Sequence, residues 1–126
     1  MNAADAAQAT TPGLADHLSA FVRDVNAHPA MAKLLKGWEP RLTIETLDAD
    51  QRFHLRVDDC KVRAVAADGA ADEHAILIRG ERAVLCEVFT GISNPAQAYL
   101  EGTLEVFGDD RDHIKLDAIC LVLWGI

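Results

Sequence analysis

Aromatic side chains are scarce in this sequence: Phe, Trp and Tyr make up 6% of its 126 residues. Any core must therefore be filled by Ala, Val, Leu and Ile, which helps bring the hydrophobic share to 50%. Basic charge is short as well, with 12 Lys and Arg against 20 Asp and Glu, a net charge of -8. Such an excess repels phosphate backbones and leaves no basic stripe for nucleic acid. It also argues against adhesion to anionic membranes through charge alone. No apolar run approaches the roughly 20 residues a bilayer requires; the longest strong one is Ala118 to Trp124.

Cysteine is equally sparse. Cys60, Cys86 and Cys120 are an odd number, widely spaced, and no C-x-x-C pair exists. His17, His28, His54, His74 and His113 form no metal-ligand spacing with them. Three reduced, buried or half-buried thiols suit the cytoplasm, and no metal or other cofactor is expected. The sequence contains no Gly-rich phosphate loop, no G-x-S-x-G and no H-E-x-x-H. Asp48-Ala49-Asp50 lacks the Gly and distal Glu of a calcium loop. Residues 1–12 carry no Lys or Arg and no Leu-rich segment, so they read as a flexible leader rather than a secretory signal or transit peptide.

What is present fits one domain over residues 13–126, large enough to bury about two-thirds of the surface its unfolded chain exposes. Thr11-Pro12 reads as a helix cap and first position, followed by Leu14, Leu18, Phe21, Val22 and Val25 at helical spacing. A break at Asn26 to Pro29 leads to a second short helix with Met31, Leu34, Leu35 and Trp38 inward, stopped near Gly37. Both helices fall within residues 13–38, and residues 41–126 supply the sheet and its covering helices. Strands are predicted at Arg41 to Leu47, Arg52 to Val57 and, after a reversal at Asp58-Asp59, Cys60 to Ala67. A loop follows around Asp68-Gly69 and Asp72-Glu73.

The alternation of Phe53, Leu55 and Val57 with Arg52, His54 and Arg56 marks a sheet with one wet face. Ala75 to Ile78 is apolar on both sides and reads as a strand covered on both faces or crossed by a helix. Gly80 to Thr90 reads as a helix, Asn94-Pro95 to Leu100 as another closed by Gly102, and Thr103 to Phe107 as the last strand. A final helix opens at Gly108-Asp109, where Asp109, Asp110 and Asp112 suit the positive end of the helix dipole. The fold class is α+β, with an approximately five-stranded, mostly antiparallel sheet and helices on one face.

From Phe89 the chain reads F-T-G-I-S-N-P-A-Q-A-Y-L-E-G-T-L-E-V-F-G-D. Gly91, Asn94, Pro95, Ala98, Tyr99, Gly102, Leu104, Val106, Gly108 and Asp109 match, in order and spacing, the pattern of the sterol carrier protein type 2 domain. This stretch resembles that family, also called non-specific lipid transfer protein, in a stand-alone bacterial form. The strong match covers about the last third of the chain, and a looser one begins at Arg41.

The resemblance implies a hydrophobic tunnel between sheet and helices, with the last helix in its wall. It also implies a non-catalytic protein carrying a fatty acyl, sterol-like or isoprenoid molecule. By the same resemblance Val84, Leu85, Val88, Phe89, Tyr99, Leu100, Ile119, Cys120 and Leu123 lie near the ligand. Each is equally a natural core residue, since apolar side chains at helical spacing usually serve packing first. The Ser-Lys-Leu ending of peroxisomal members is absent, the chain closing on Trp124-Gly125-Ile126. An accessory factor of quinone biosynthesis shares the layout but usually lacks the step made here by Ala98, Tyr99 and Gly102.

Three alternatives in other classes stay open: an accessory subunit holding a lipid-like substrate for an enzyme, an interaction module whose cavity has closed, and, with the weakest support, an enzyme. Lys33 and Lys36 beside Leu34, Leu35 and Trp38 form a modest membrane-surface pattern, so transient membrane contact is an expectation beside packing on the sheet. The apolar surface around the last helix raises a homodimer as a further expectation.

Overall fold

A computed structural model describes residues 13–65 and 75–125. The expected leader over 1–12, the cap at Thr11-Pro12, the end of the third strand at Ala66-Ala67 and the loop around Asp68-Gly69 and Asp72-Glu73 lie outside those residues. The elements run α1 (Leu14–Ala27), α2 (Met31–Leu35), β1 (Arg41–Thr46), β2 (Arg52–Asp58), β3 (Lys61–Ala64), β4 (Ala75–Gly80), α3 (Arg82–Val88), α4 (Pro95–Glu101), β5 (Leu104–Phe107) and α5 (Asp110–Trp124).

The sheet order is β3-β2-β1-β4-β5. Three pairings are antiparallel, and that of β1, the central strand, with β4 is parallel. Register aligns Leu42 with Leu55 and Ile76, Ile44 with Phe53 and Ile78, and Ile78 with Val106. Side chains in such rows share a face, so these residues line one face with Val57 and Val62. The opposite face is charged: Glu45 holds Arg52 at 2.6 Å and Arg79 at 3.1 Å, and Arg79 reaches Glu105 at 3.4 Å. The Arg52 hydrogen bond, with the charge of both arginines, keeps the Glu45 carboxyl below its usual range.

The helices sit on the apolar face. Leu14, Leu18, Phe21 and Val25 of α1 are buried, as their spacing predicts. Asn26 ends this contact with a two-way bond to the backbone of β3, Nδ2 donating to Val62 O at 2.7 Å and Oδ1 accepting from Val62 N at 2.8 Å. It thereby satisfies groups that an edge strand would leave unpaired. Met31, Leu35 and Trp38 are buried, so the α2 region packs inward. None of the described helices is long and apolar enough to cross a membrane.

Several boundaries differ from the sequence expectation. β4 is covered on one face, not two: Leu77 stands on the open face, paired with Thr43 and Phe107. Gly80 belongs to β4, and α3 starts two residues later, where Arg82 N donates to Asp48 Oδ1 at 2.8 Å. Cys60 is not in a strand. It forms a two-residue turn with Asp59, at φ 62 and 52, joining the paired Asp58 and Lys61. Positive φ at both positions is the geometry that matches the right-handed twist of a hairpin.

Candidate ligand cavity

A cavity of about 260 Å³ lies between the β4–β5 end of the sheet and helices α3, α4 and α5. Its floor is Ile78, Leu104 and Val106, with Val88 and Phe89 from α3 and its C-terminal end. Pro95, Ala96, Tyr99 and Leu100 of α4 form one wall, and His113, Leu116, Asp117, Ile119, Cys120 and Trp124 of α5 form the other. Phe21 reaches in from α1, its ring 5.2 Å from Phe89 and 5.9 Å from Trp124 between centroids. These three rings close one side. The mouth lies between α4 and α5, where Tyr99 is 44% and Leu100 81% exposed.

Local chemistry builds both walls. Asn94 caps α4, its Oδ1 accepting from Ala96 N at 2.8 Å and Gln97 N at 3.3 Å, and Pro95 occupies the first turn. Gly102 ends α4 in the left-handed conformation at φ 82, which favours glycine. α5 starts with a reciprocal box: Asp109 Oδ1 accepts from Asp112 N at 2.9 Å and Asp109 N donates to Asp112 Oδ2 at 3.2 Å. Capping thus accounts for Asp109 and Asp112. On α5, His113, Leu116, Asp117, Cys120 and Trp124 recur at three- and four-residue intervals and so share one face.

Five lining side chains carry polar atoms: Tyr99, His113, Asp117, Cys120 and Trp124. The Tyr99 and His113 rings meet edge to face, 5.2 Å apart. Burial, helped by the negative charge of Asp117, pushes the Cys120 thiol up to about 12. A thiol held protonated is a poor nucleophile. A groove of about 240 Å³ continues outward along Asn94, Ala118 and Leu121 and shares Pro95, Ala96, Asp117 and Cys120 with the cavity.

A wider crevice of about 570 Å³ lies between α1 and the β2–β3 margin, over Leu18, Val22, Phe53 and Leu55. It is more open than the α3–α5 cavity, which has better-enclosed walls and a polar rim, as expected of a site for an amphipathic molecule.

No family model matches the sequence, and no curated protein matches it. Solved structures do. A double mutant of the sec-alkyl sulfatase PisA1 superposes with a TM-score of 0.66 at 16% identity, over 91% of this chain. That match spans 16% of the sulfatase, so the likeness is to one part of a much longer protein. The sterol carrier protein domain 2 of Helicoverpa armigera gives 0.64 at 11% identity, covering 90% of this chain and 91% of that one. The chain has the sterol carrier protein 2 fold. The ubiquinone synthesis protein UbiJ-SCP2 shares it, with a TM-score of 0.61 at 18% identity and coverage of 85% and 91%.

Within the sterol carrier fold, Val88, Phe89, Tyr99, Leu100, Ile119 and Cys120 line the cavity, while Val84, Leu85 and Leu123 do not. Leu85 is fully buried, and half-buried Val84 and Leu123 pack against the core. The strand residues Ile78, Leu104 and Val106, together with Phe21, Pro95 and Ala96 and with His113, Leu116, Asp117 and Trp124 of α5, were not among the site residues expected from the sequence. A signal for α5 was present: positions 113, 116, 117, 120 and 124 keep helical spacing. The dense apolar run after Asp117 obscured it by drawing attention to neighbouring positions.

Proposed function

We propose that this domain holds a lipid or another hydrophobic small molecule in the α3–α5 cavity and performs no chemistry on it. The observation that carries the proposal is an apolar cavity whose few polar groups gather on the two mouth helices. Polar atoms are costly to bury unpaired, so this arrangement suits a molecule with an apolar body and one polar end. Burying an aliphatic chain there contributes about 0.8 kcal/mol per CH₂ before association costs are subtracted. At about 260 Å³ the cavity lies just below the ~300–1,000 Å³ typical of small-molecule sites. A long ligand therefore requires α4 to move away from α5. α4 has seven residues and one buried side chain, Ala98, so little apolar burial holds it in place.

The protonated Cys120 offers no support for nucleophilic catalysis. A fatty acyl, sterol-like or isoprenoid molecule is the proposed cargo, and the cytoplasm its proposed setting. Exposed Leu100 and Leu121 flank the cavity and its outer groove, a surface suited to brief contact with a membrane. The likeness to UbiJ-SCP2 favours one second reading: an accessory subunit holding a lipid-like substrate for a biosynthetic enzyme. Copurification with that enzyme, and poor lipid transfer by the isolated protein, would select it.

The test is organic extraction of freshly purified protein followed by mass spectrometry. A stoichiometric lipid supports the proposal and gives its class. An empty extract, together with no binding of fluorescent fatty acid or sterol probes, turns the reading to an interaction module.

A further inference from the structure

We propose that the polar end of the bound molecule is a hydrogen-bond donor without negative charge, a hydroxyl or an ammonium, seated against Asp117 with Tyr99 and His113 beside it. This rests on the lipid-holding reading above and narrows it. The body of the cavity, from Phe21 and Ile78 to Val106 and Ile119, is apolar, so an amphiphile keeps its head at the α4–α5 rim.

The charged side chain at that rim is Asp117, which lines both the cavity and its outer groove. A carboxylate accepts hydrogen bonds and donates none. Neither lining includes a Lys or Arg among the described residues. The basic groups of α5 are engaged elsewhere: Arg111 Nη2 donates to Gly37 O at 3.4 Å and Lys115 Nζ to Leu34 O at 2.6 Å. α4 contributes no cation, and its charged residue, Glu101, accepts from Gln97 Nε2 at 3.1 Å.

Backbone seats for an anion are taken as well. The first amides of α4 point at Asn94 Oδ1, and the cap of α5 is filled by Asp109. A fatty-acid carboxylate placed at this rim would meet Asp117 with no Lys or Arg in either lining to offset the repulsion. The same repulsion acts on Cys120, whose ionisation the Asp117 charge opposes. A hydroxyl or ammonium would instead donate to Asp117, and the Tyr99 and His113 tips can accept or donate as required.

The experiment is displacement of Nile red, an uncharged dye, by lauryl alcohol, laurylamine, laurate and methyl laurate at about pH 8, where a carboxylic acid is ionised. A bond to a charged partner predicts that the alcohol or the amine binds at least about tenfold more tightly than laurate. The methyl ester, neutral but without a donor, falls between them. Asp117→Asn raises laurate affinity severalfold and narrows the gap to the alcohol, and Asp117 is exposed, so the variant keeps the fold. A tight alcohol with a weak amine identifies a hydroxyl head; the reverse identifies an ammonium. Laurate binding as tightly as both donors, or an ester equal to the better of them, overturns the assignment while leaving lipid binding intact. If none of the four displaces the dye and none binds directly, the lipid-holding reading falls and the head-group assignment falls with it.

Discussion

The indole N–H of Trp38 donates to the Asp112 carboxylate across 2.9 Å, 74 positions apart in the chain, and both residues are 1% exposed. Asp112 also completes the cap of α5, so one carboxylate ties the segment after α2 to the start of the cavity-lining helix. Trp38→Phe keeps most of the ring but leaves the acceptor with one partner fewer. Loss of a buried bond to a charged group costs about 1.5–3 kcal/mol. Urea unfolding of Trp38→Phe should show a loss in that range with little change in slope. A loss under about 0.5 kcal/mol would mean that the bond contributes little to the fold.

Gly91 supports the other end of α5. At φ 80 it lies in the left-handed region, and a Cβ there would sit 2.5 Å from Cγ of Trp124. Gly102 has nearly the same φ, 82, with nothing within 4 Å of such a Cβ. Gly102→Ala therefore carries the left-handed penalty alone, about 1–2 kcal/mol. Gly91→Ala adds displacement of the Trp124 ring, for a total of about 2–5 kcal/mol. Paired thermal melts check the difference, and equal losses would remove Trp124 from the explanation.

Much of this architecture was legible in the residues. Leu42 and Ile44, then Phe53, Leu55 and Val57, alternate because one face of the sheet is buried and the other wet. Asn94-Pro95 and Gly102 bracket α4 because a cap, a proline in the first turn and a left-handed glycine are local requirements. The parallel pairing of β1 with β4 was not legible, since register between distant strands leaves no mark on either alternation. Nor was the turn at Asp59-Cys60, where a cysteine occupies a conformation usually given to Asn or Gly. The site was read in part. Phe21 reaches the cavity from a helix outside the family-like stretch, and Asp117 looks like an ordinary solvent-facing residue until α4 is packed beside it.

The strain in that turn is testable. Asp59 and Cys60 both hold positive φ, and the left-handed conformation costs a non-glycine residue roughly 1–2 kcal/mol. The double substitution Asp59→Asn with Cys60→Gly installs the pair favoured in two-residue hairpins. It should raise stability by up to about 1 kcal/mol, because half-buried Cys60 gives up some packing against the core. A lower urea midpoint for the double variant would show that this packing outweighs the strain.

Val106 offers a way to fill the cavity without cutting into the main core, since it is half-buried on β5 and faces the cavity. In Val106→Phe the added ring occupies space that is otherwise empty. Stability should change by less than about 1.5 kcal/mol, while binding of a fluorescent lipid probe is lost. Unaltered probe affinity in a folded Val106→Phe protein would place the ligand elsewhere, with the α1–β2 crevice the next site to examine.

Cys120 reports on the cavity wall through pH. Its thiol is raised from 9.0 to about 12 by burial first and the Asp117 charge second. Between those values the unfolded chain releases the proton while the folded protein keeps it, so the unfolded state binds fewer protons and stability falls as pH rises. The contribution is complete below about pH 9 and is lost progressively toward about pH 12. Cys120→Ala should flatten this part of the stability profile. At about pH 8, where only a small fraction of even an ordinary thiol is ionised, Cys120 should react with a disulfide reagent far more slowly than half-buried Cys60 and Cys86. Bound lipid should slow it further, because Cys120 lines both the cavity and its outer groove. Reaction of all three thiols at one rate in the folded protein would mean that α4 opens often enough to expose the wall, and that the cavity is not closed between encounters with its ligand.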